Sequence, residues 1–494
     1  MDDLNKKMAK GAGWMVLFKF SQRGLGLIST VILARLLVPE DFGLVAIAMA
    51  IFAALEIMGA FSFDLALIQN QKASRQHYDT AWTFNVLYAI FASIALFLLA
   101  NPAAAFFGEP NLAGIMHFLA LATLIQGFEN IGIVAFRKEL NFRKEFKFLL
   151  IQKIVSFLVT ISLAFIFKNY WALIAGIITS KLAGLVISYM MHPYRPRFSL
   201  AKASELFHFS KWMLINNILI FVNIRGIDFV VGKMAGTQAL GIYSVSYEIS
   251  NLPTSELVFP ITRAVFPGYA KMSNDIVMLK KGFLDVFSLV ALFTVPIGTG
   301  ITILADPLVQ VFLGEKWLDS IPLIQALAIA GIFRALQANT GAIYLALGIP
   351  KIITYLSIFN VLLIYPAIIW ALSSSGVLMA AWAIATIAFL SMPINFIVLS
   401  RKLNLNLLQI ISLLWRPVVS SLLMATVVLS ALTLWGETSS ILTLLIQLIL
   451  LSAIGAATYF ASLFLLLRLC ATHPETSMEI KLFDIIKEKL KSNS

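Results

Sequence analysis

Basic side chains stand inside stretches of this sequence that are otherwise apolar enough to cross a membrane. Residues 18–37, FKFSQRGLGLISTVILARLL, carry Lys19, Arg23 and Arg35. A charge near the bilayer centre costs about 2.5–3.5 kcal/mol on insertion scales, whereas each Leu, Ile, Val or Phe returns about 0.3–0.6 kcal/mol. Cations in a dry or half-dry site bind anions, and a guanidinium suits phosphate. The residues therefore predict a site for a substrate that carries phosphate or carboxylate.

Two of these three cations share one face of the predicted helix. At 100° per residue, Lys19, Arg23 and Gly26 lie on one side, and Arg35 points nearly the opposite way at the helix end. A polar stripe on an apolar helix predicts a water-filled cavity. Burial against acids of neighbouring helices, such as Glu56, is the alternative. Arg35 is expected to reach water at the membrane surface and to have a structural role.

Other apolar segments carry charges too, and prolines interrupt one of them. Arg225 and Asp228 are three residues apart, so they form either part of a site or a self-neutralised pair. Segment 239–265 contains Pro253 and Pro260, which predict a break of the kind found at hinges and binding sites, or else a packing kink. The candidate substrate-binding residues are Lys19, Arg23, Arg225, Arg263 and Arg334. The candidates for ion coupling are Glu56, Asp64, Asp228 and Glu256, and the candidate hinge residues are Pro253 and Pro260.

The composition predicts an all-α polytopic membrane protein. Of the 494 residues, 60% are hydrophobic and only 13% are charged, whereas a soluble protein carries about 25% charged residues. Fourteen apolar segments have the length of about 20 residues that a spanning helix needs. They lie near 11–38, 42–67, 80–100, 112–135, 148–167, 170–191, 212–232, 239–265, 283–304, 320–347, 352–372, 376–399, 413–435 and 440–467.

The loop charges predict the orientation of these segments. With both termini in the cytoplasm, 26 Lys and Arg residues fall on the cytoplasmic side. The opposite loops hold only Lys168, Lys233 and Lys316. This distribution accounts for the net charge of +12 through the inner membrane surface, without nucleic acid. The tail 468–494 is expected to lie on that surface as an amphipathic helix, with a solvated tail as the alternative.

The sequence carries none of the features expected of a membrane enzyme. No predicted loop exceeds roughly 20 residues, so there is no room for an extramembrane catalytic domain. The one cysteine, Cys470, excludes an intrachain disulfide, and the five histidines have no metal-ligand spacing. We therefore expect a protein with no catalytic residues, no cofactor and no metal site.

Two stretches of the sequence recur about 200 residues later. RLLVPEDFGLVAIAMAI from Arg35 aligns with KMAGTQALGIYSVSYEI from Lys233, which places Gly43 on Gly241. FFGEPNL and FLGEKWL align in the same order. Six helices per repeat predict two lobes of the same orientation around a central cavity, with two helices added. The predicted division is an N-lobe at 1–210, a C-lobe at 211–400, two helices at 401–467 and a cytoplasmic tail at 468–494.

Four motifs resemble those of the polysaccharide-transport flippases. They are ARLLVPEDFGLVAIA, FRKELNFRKE, FPGYAKMSND and VFLGEKWLDSIPLIQALAIAG. The sequence is similar to the Wzx type, closest to its WzxC-like branch, in the multidrug/oligosaccharidyl-lipid/polysaccharide (MOP) superfamily. In this family, basic residues of helices 1 and 8 face the central cavity, and Lys19, Arg23 and Arg263 match those places. The second apolar segment lacks the basic residue that some lipid-II flippases carry.

The resemblance implies a function in the bacterial inner membrane. Members move undecaprenyl-pyrophosphate-linked oligosaccharides to the outer leaflet for exopolysaccharide or O-antigen synthesis. Expected partners are that lipid-linked substrate, membrane lipids, and the polymerase and glycosyltransferases of the pathway. The membrane potential or proton or sodium antiport would drive the movement.

Two other functions remain as alternatives at this point. A multidrug cation antiporter of the same superfamily would be expected to have an acidic cavity, which the excess of basic residues within the apolar segments disfavours. A membrane polymerase or glycosyltransferase would be expected to show a long external loop or an acidic metal-binding motif, and neither is visible in the sequence.

Overall fold

The computed structural model shows helices, turns and short extended segments, with no strand among the residues it describes. Those residues are 21–58, 67, 73–139, 141–435 and 440–469, without the side chains of 204–220, 223–225, 263 and 267. The chain divides into two compact units, Met1–Gly241 and Ile242–Ser494, called unit 1 and unit 2 below. The predicted lobe and tail boundaries stay a prediction.

Unit 1 is built from helices joined by short turns. Its helices are α1 (21–36), α2 (Pro39–Met58), α3 (Arg75–Phe107), α4 (Pro110–Gly127), α5 (Val134–Lys138), α6 (Phe142–Phe167) and α7 (Trp171–Met191). A 3₁₀ turn, Ile131–Ile133, follows α4, and the pair of helices on either side of this break bends by 63°. Helix α8 (Ala203–Ser250) continues from unit 1 into unit 2 and is broken at Gly236, where φ is +82°.

Unit 2 contains the remaining elements. After a π-helical turn at Pro253–Val258 come α9 (Phe259–Met272), α10 (Ile276–Ile303), α11 (Ala305–Phe312), α12 (Ser320–Ala338), α13 (Thr340–Ala346), α14 (Lys351–Leu403), α15 (Leu407–Trp435) and α16 (Ile441–Leu469). A 3₁₀ turn, Glu315–Trp317, joins α11 to α12. Helix α14 is broken at Gly376, where φ is +80°.

The predicted apolar segments coincide with described helices, which confirms the all-α membrane fold. Eight described helices are long and apolar enough to cross a membrane, or nine if the bent pair counts as one span. The breaks at Gly236 and Gly376 fall between segments that the sequence predicts as separate spans. The count of fourteen stays a prediction, because part of the first segment and other stretches lie outside the described residues.

The two copies of the second repeated motif each place their glycine at positive φ. Gly108 follows the end of α3 with φ +75° and ψ +23°, a left-handed residue that caps the helix, and Gly314 follows α11 with φ +92° and ψ 178°. Glycine adopts both conformations without steric cost. The shared glycine of FFGEPNL and FLGEKWL therefore allows a turn in each unit, and the two turns differ in ψ.

The first repeated motif contains a close helix crossing within unit 1. Gly43 of α2 lies against Gly241 of α8, its counterpart in the repeat. A Cβ on Gly43 would overlap the Thr237 carbonyl and lie 2.9 Å from the Gly241 nitrogen. A Cβ on Gly241 would overlap the Pro39 carbonyl and lie 3.0 Å from the Gly43 nitrogen. The backbones of the two helices thus touch where the sequence has no side chain, as small residues allow in membrane helices.

Turns that the sequence predicts on the outer side meet at one end of unit 1. The Tyr170 amide donates to Asp41 at 3.1 Å, and the Thr237 hydroxyl donates to Glu109 at 2.8 Å. Lys233 donates to the Phe106 carbonyl and lies over the Phe106 ring. The turns after α1, α3 and α6 and the break in α8 therefore lie at one end of unit 1.

Candidate functional site

A ladder of hydroxyl groups holds α12 in unit 2. Ser246, Ser250 and Thr254 follow one another at intervals of four residues, and all three are buried. Their hydroxyls donate to the carbonyls of Ser320 at 3.5 Å, Ile324 at 3.1 Å and Gly331 at 3.4 Å. Spacing of four places side chains on one helical face, and the ladder continues from α8 into the π-helical turn. Helix α12 is therefore fixed along several turns.

The last turn of α12 carries Arg334, a predicted substrate-binding residue. Its guanidinium carbon lies 5.0 Å from the centre of the Tyr247 ring, a cation–π contact. Its Nε and one Nη are buried and have no hydrogen-bond partner among the residues described. Arginine presents five N–H donors and needs acceptors when it is removed from water. Arg334 is thus held in place by a ring and retains donors for an anion.

Polar side chains continue beyond Arg334 toward the end of α12. The Gln337 amide donates to the Ala388 carbonyl at 3.1 Å and accepts from Asn395 at 3.4 Å. Tyr344 donates to the Asn395 side-chain oxygen at 3.2 Å. These bonds connect α12 and α13 to α14. Along α12, Arg334 therefore lies between the carbonyls that accept from the Ser and Thr hydroxyls and the hydrogen bonds of Gln337.

The predicted break near the prolines is present in unit 2. Pro253 is buried and begins the π-helical turn, and Pro260 is exposed in the first turn of α9. Glu256, a predicted ion-coupling residue, lies in the π-helical turn and is exposed. It accepts a 2.8 Å hydrogen bond from the Ser255 hydroxyl. The hinge and coupling roles stay predictions.

Unit 1 encloses a polar cavity of about 590 Å³. It lies among α2, α3, the end of α4, α5 and α6. Its polar lining consists of Glu56, Asn85, Tyr88, Thr123, Gln126, Glu129, Asn130, Arg137 and Glu145. Such a cavity in a membrane protein marks a functional site by default.

The predicted coupling residue Glu56 has a basic partner that the sequence reasoning missed. Lys181 of α7 lies 3.8 Å from Glu56 and 5.8 Å from the centre of the Phe52 ring. By default, a lysine in the inner half of an apolar segment is expected to reach the membrane surface with its ammonium group. The sequence shows an acid and a base in two separate apolar segments, which suggests that they form an ion pair. It does not specify which acid meets which base.

Some of the other predicted site residues lie among the residues that the structure describes, and some do not. Arg23 is half-buried on α1, and a Cβ on Gly26 of the same predicted face would meet no atom within 4 Å. Asp228 is buried on α8. Lys19 and Asp64 lie outside the described residues, as do the side chains of Arg225 and Arg263. The predicted Arg225–Asp228 pair therefore stays a prediction.

The fold is similar to that of solved membrane transporters. One is the lipid II flippase MurJ in an inward closed conformation, with a TM-score of 0.71, 15% sequence identity, and coverage of 92% of this chain and 99% of that chain. Similarity at this identity establishes the fold alone. It confirms the predicted membrane-transporter architecture.

The sequence relationships place the chain in a family. The profile of the polysaccharide biosynthesis protein family matches residues 32–322, more than half of the chain. WzxC, a lipopolysaccharide biosynthesis protein of Escherichia coli K12, is 26% identical over 428 residues, covering 85% of this chain and 86% of WzxC. ExoT, a succinoglycan biosynthesis transport protein of Rhizobium meliloti, is 25% identical over 459 residues, covering 92% of both chains.

The chain belongs to the polysaccharide biosynthesis protein family. It is a membrane transporter and not an enzyme, which confirms the resemblance seen in the four motifs. Its similarity to a multidrug transporter of the MOP superfamily, at 14% identity and a TM-score of 0.60, concerns the fold.

Proposed function

We propose that this protein moves undecaprenyl-pyrophosphate-linked oligosaccharide repeat units from the inner to the outer leaflet of the bacterial plasma membrane. The product serves exopolysaccharide or O-antigen synthesis, and the polymerase and glycosyltransferases of the pathway are the expected partners. Both termini lie in the cytoplasm, in line with the loop charges. The named roles of WzxC in lipopolysaccharide synthesis and of ExoT in succinoglycan transport support this substrate class.

The arrangement of Arg334 is the observation that carries the proposal. A guanidinium with buried donors that lack partners among the described residues, held over Tyr247, suits an anionic ligand. Guanidinium binds phosphate oxygens through two parallel N–H donors, which an ammonium cannot do. We assign Arg334 to the pyrophosphate, together with Lys19, Arg23, Arg225 and Arg263 on the sequence argument.

Transport proceeds by alternating access, with the lipid tail remaining in the bilayer. No covalent bond changes. Outward movement of an anion is favoured by a negative-inside potential, by roughly 2.3 kcal/mol per charge per 100 mV. The break at Pro253–Val258 is the place where α8 and α9 bend as the site changes its exposure, and Pro253 and Pro260 act as hinge residues.

The test measures polymer production in a flippase-null strain complemented with single variants, together with the level of folded protein. Arg334→Ala, Lys19→Ala and Arg23→Ala should abolish or cripple export. Arg334→Lys should retain part of it, because the charge stays and the planar donor pair is lost. Arg35→Ala and Arg401→Ala are matched controls, since both side chains are exposed, and both should export normally.

Direct transport is measured with purified protein in vesicles that carry a lipid-linked oligosaccharide on one leaflet. Wild-type protein should make the oligosaccharide accessible on the other leaflet, and Arg334→Ala should not. Normal export by Arg334→Ala, with Arg401→Ala equally active, would remove Arg334 from the substrate site.

A further inference from the structure

The cavity of unit 1 contains more negative than positive charge among its described residues. Five charged side chains line it or pair with its lining, and they come from α2, the end of α4, α5, α6 and α7. They are Glu56, Glu129, Arg137, Glu145 and Lys181. Helix α3 contributes neutral residues, Asn85 and Tyr88.

Two ion pairs account for four of these charges. Arg137 donates to Glu145, and Lys181 lies 3.8 Å from Glu56. Glu129 is the fifth. It accepts no hydrogen bond from a residue that the structure describes, and its charge interacts with that of Lys181. Lys181 therefore faces two carboxylates and can neutralise only one.

The structure places the Glu129 carboxylate against α7. Glu129 lies in the break after α4, which Asn130 holds by accepting from the Gly132 amide at 2.9 Å and donating to the Tyr194 carbonyl at 2.7 Å. A Cβ on Gly184 of α7 would lie 3.2 Å from a Glu129 oxygen and 2.5 Å from the Gln152 amide nitrogen. Gly184 is one turn beyond Lys181, so Glu129 faces the stretch of α7 that carries Lys181.

A carboxylate without a counter-charge in a partly closed cavity is costly and is neutralised by taking up a proton. An alkali cation would neutralise Glu129 less well than a proton, because the nearby Lys181 ammonium repels a second cation. Its removal from water would also require more oxygen ligands than one free carboxylate supplies. The charge balance therefore favours a proton.

We propose that the cavity of unit 1 is a proton-binding site in which Glu129 carries the proton while Lys181 remains paired with Glu56. Loss of the proton makes Glu129 a competitor of Glu56 for Lys181. Because Glu56 belongs to α2 and Lys181 to α7, the competition weakens the contact between these helices. Proton release is thus linked to a rearrangement of unit 1, and this linkage to transport rests on the proposed function above.

Infrared difference spectroscopy tests the proton directly. The full-length protein is held in lipid without substrate, and spectra are compared between about pH 5 and about pH 9, a range that covers buried carboxyl groups. Wild-type protein should lose the carbonyl band of a protonated carboxyl as the pH rises. Glu129→Gln should remove that band from the difference spectrum. Glu139→Gln, an exposed neighbour, should leave it in place.

A glycine variant tests the position of the carboxylate. Gly184→Ala introduces a methyl group 2.5 Å from the Gln152 amide nitrogen and 3.2 Å from a Glu129 oxygen, so both side chains must shift and the band should move without disappearing. Gly114→Ala is the matched control, since its Cβ would meet only the Trp171 ring at 3.7 Å. A difference band unchanged in Glu129→Gln would overturn the proposal, as would sodium-dependent thermal stabilisation that Glu129→Gln abolishes.

Coupling is measured in the vesicle assay by imposing a pH step across the membrane. Transport by wild-type protein should respond to the step, and transport by Glu129→Gln should not. Equal responses would overturn the coupling and leave the proposed translocation standing. Absence of any lipid-linked oligosaccharide transport by wild-type protein would refute the proposed function, while the infrared band would still decide the proton site.

Discussion

The two units hold their charged side chains in different ways. In unit 1, Lys181 and Arg137 each have a carboxylate partner, and Glu129 adds a further negative charge. In unit 2, Arg334 lies on the Tyr247 ring with donors left over, on a helix held by neutral hydroxyls. The repeated motifs relate the two halves of the chain by sequence, and the difference lies in the charged side chains that each half carries.

In the two proposals above, unit 1 takes up the proton and unit 2 binds the anionic substrate. A repeat supplies the same helices twice, and a transporter needs a site for its substrate and a source of energy. The acidic balance of unit 1 suits a proton, and the unsatisfied guanidinium of unit 2 suits an anion. The contrast between the units is tested first through their helix packing, then through the ring beside Arg334, and last through pH.

The largest effect is expected where unit 1 packs backbone against backbone. Gly43→Ala places a Cβ inside the Thr237 carbonyl, which cannot rotate away, so α2 and α8 must separate. Overpacking of a rigid contact costs about 1–3 kcal/mol or more. We expect a large drop in melting temperature and in the level of folded protein, measured by fluorescence-detected chromatography in detergent.

Unit 2 provides the comparison for that variant. A Cβ on Gly331 would lie 2.9 Å from the Ser250 carbonyl, a milder conflict that a small helix shift relieves. Gly331→Ala should therefore lower the melting temperature less than Gly43→Ala does. Gly26→Ala, which meets no atom within 4 Å, should leave it unchanged. Equal losses for the first two variants would show that the two frames are equally tight.

The glycine crossing shows how much of the fold the sequence predicts. The repeat alignment already paired Gly43 with Gly241, and the helix limits followed from apolar runs interrupted by glycine and proline. The alignment did not predict that the two glycines touch, because a repeat relates positions without giving a distance. The break near Pro253 was predicted for the physical reason that proline lacks the N–H that an α-helix needs.

The candidate site is less predictable. Arg334 stood out as a cation within an apolar segment, but Tyr247, 87 residues earlier, did not, because an aromatic residue in a membrane helix is usually packing. The carbonyl acceptors of the Ser246, Ser250 and Thr254 hydroxyls have no sequence signature at all. The Lys181–Glu56 pair depends on the packing of α7 against α2, which hydropathy does not encode.

A smaller effect is expected from the ring beneath Arg334. Tyr247→Phe keeps an aromatic face and should leave export near wild type. Tyr247→Leu removes it, and a cation–π contact is worth about 0.5–2 kcal/mol, so we expect up to about thirtyfold weaker binding of lipid-linked substrate. Binding is measured by the concentration of lipid-linked oligosaccharide that half-protects the purified protein against thermal unfolding.

The matched control for Tyr247→Leu is Tyr243→Leu, four residues earlier on α8, with its ring 6.1 Å from that of Tyr247. It should preserve the binding concentration even where it lowers stability. Weakened binding by both variants to the same degree would mean that the loss reflects α8 packing, and that Tyr247 has no particular relation to Arg334.

The smallest effect concerns pH and again separates the units, since every described histidine lies in unit 1. In the extended segment after α7, the His192 ring accepts from the Tyr194 amide at 3.2 Å, which requires an unprotonated Nδ1. Burial lowers the pKa of His192, and the nearby Lys144 and Arg195 lower it further, against the opposing effect of Glu139.

A lowered pKa fixes the sign of this last prediction. The fold favours neutral His192, so its contribution to stability is present above the ordinary histidine pKa of about 6.5 and is lost as the pH falls through the lower pKa of the folded state. The ring is half-buried, so solvent screens its charge and the effect is small. The melting temperature of wild-type protein should fall between about pH 7 and about pH 5, and His192→Gln should flatten that fall. Tyr194→Phe, which removes the hydrogen bond to Asp79, should lower the melting temperature equally at both pH values and keep the wild-type slope. A slope unchanged by His192→Gln would show that His192 is not the source of the acid sensitivity.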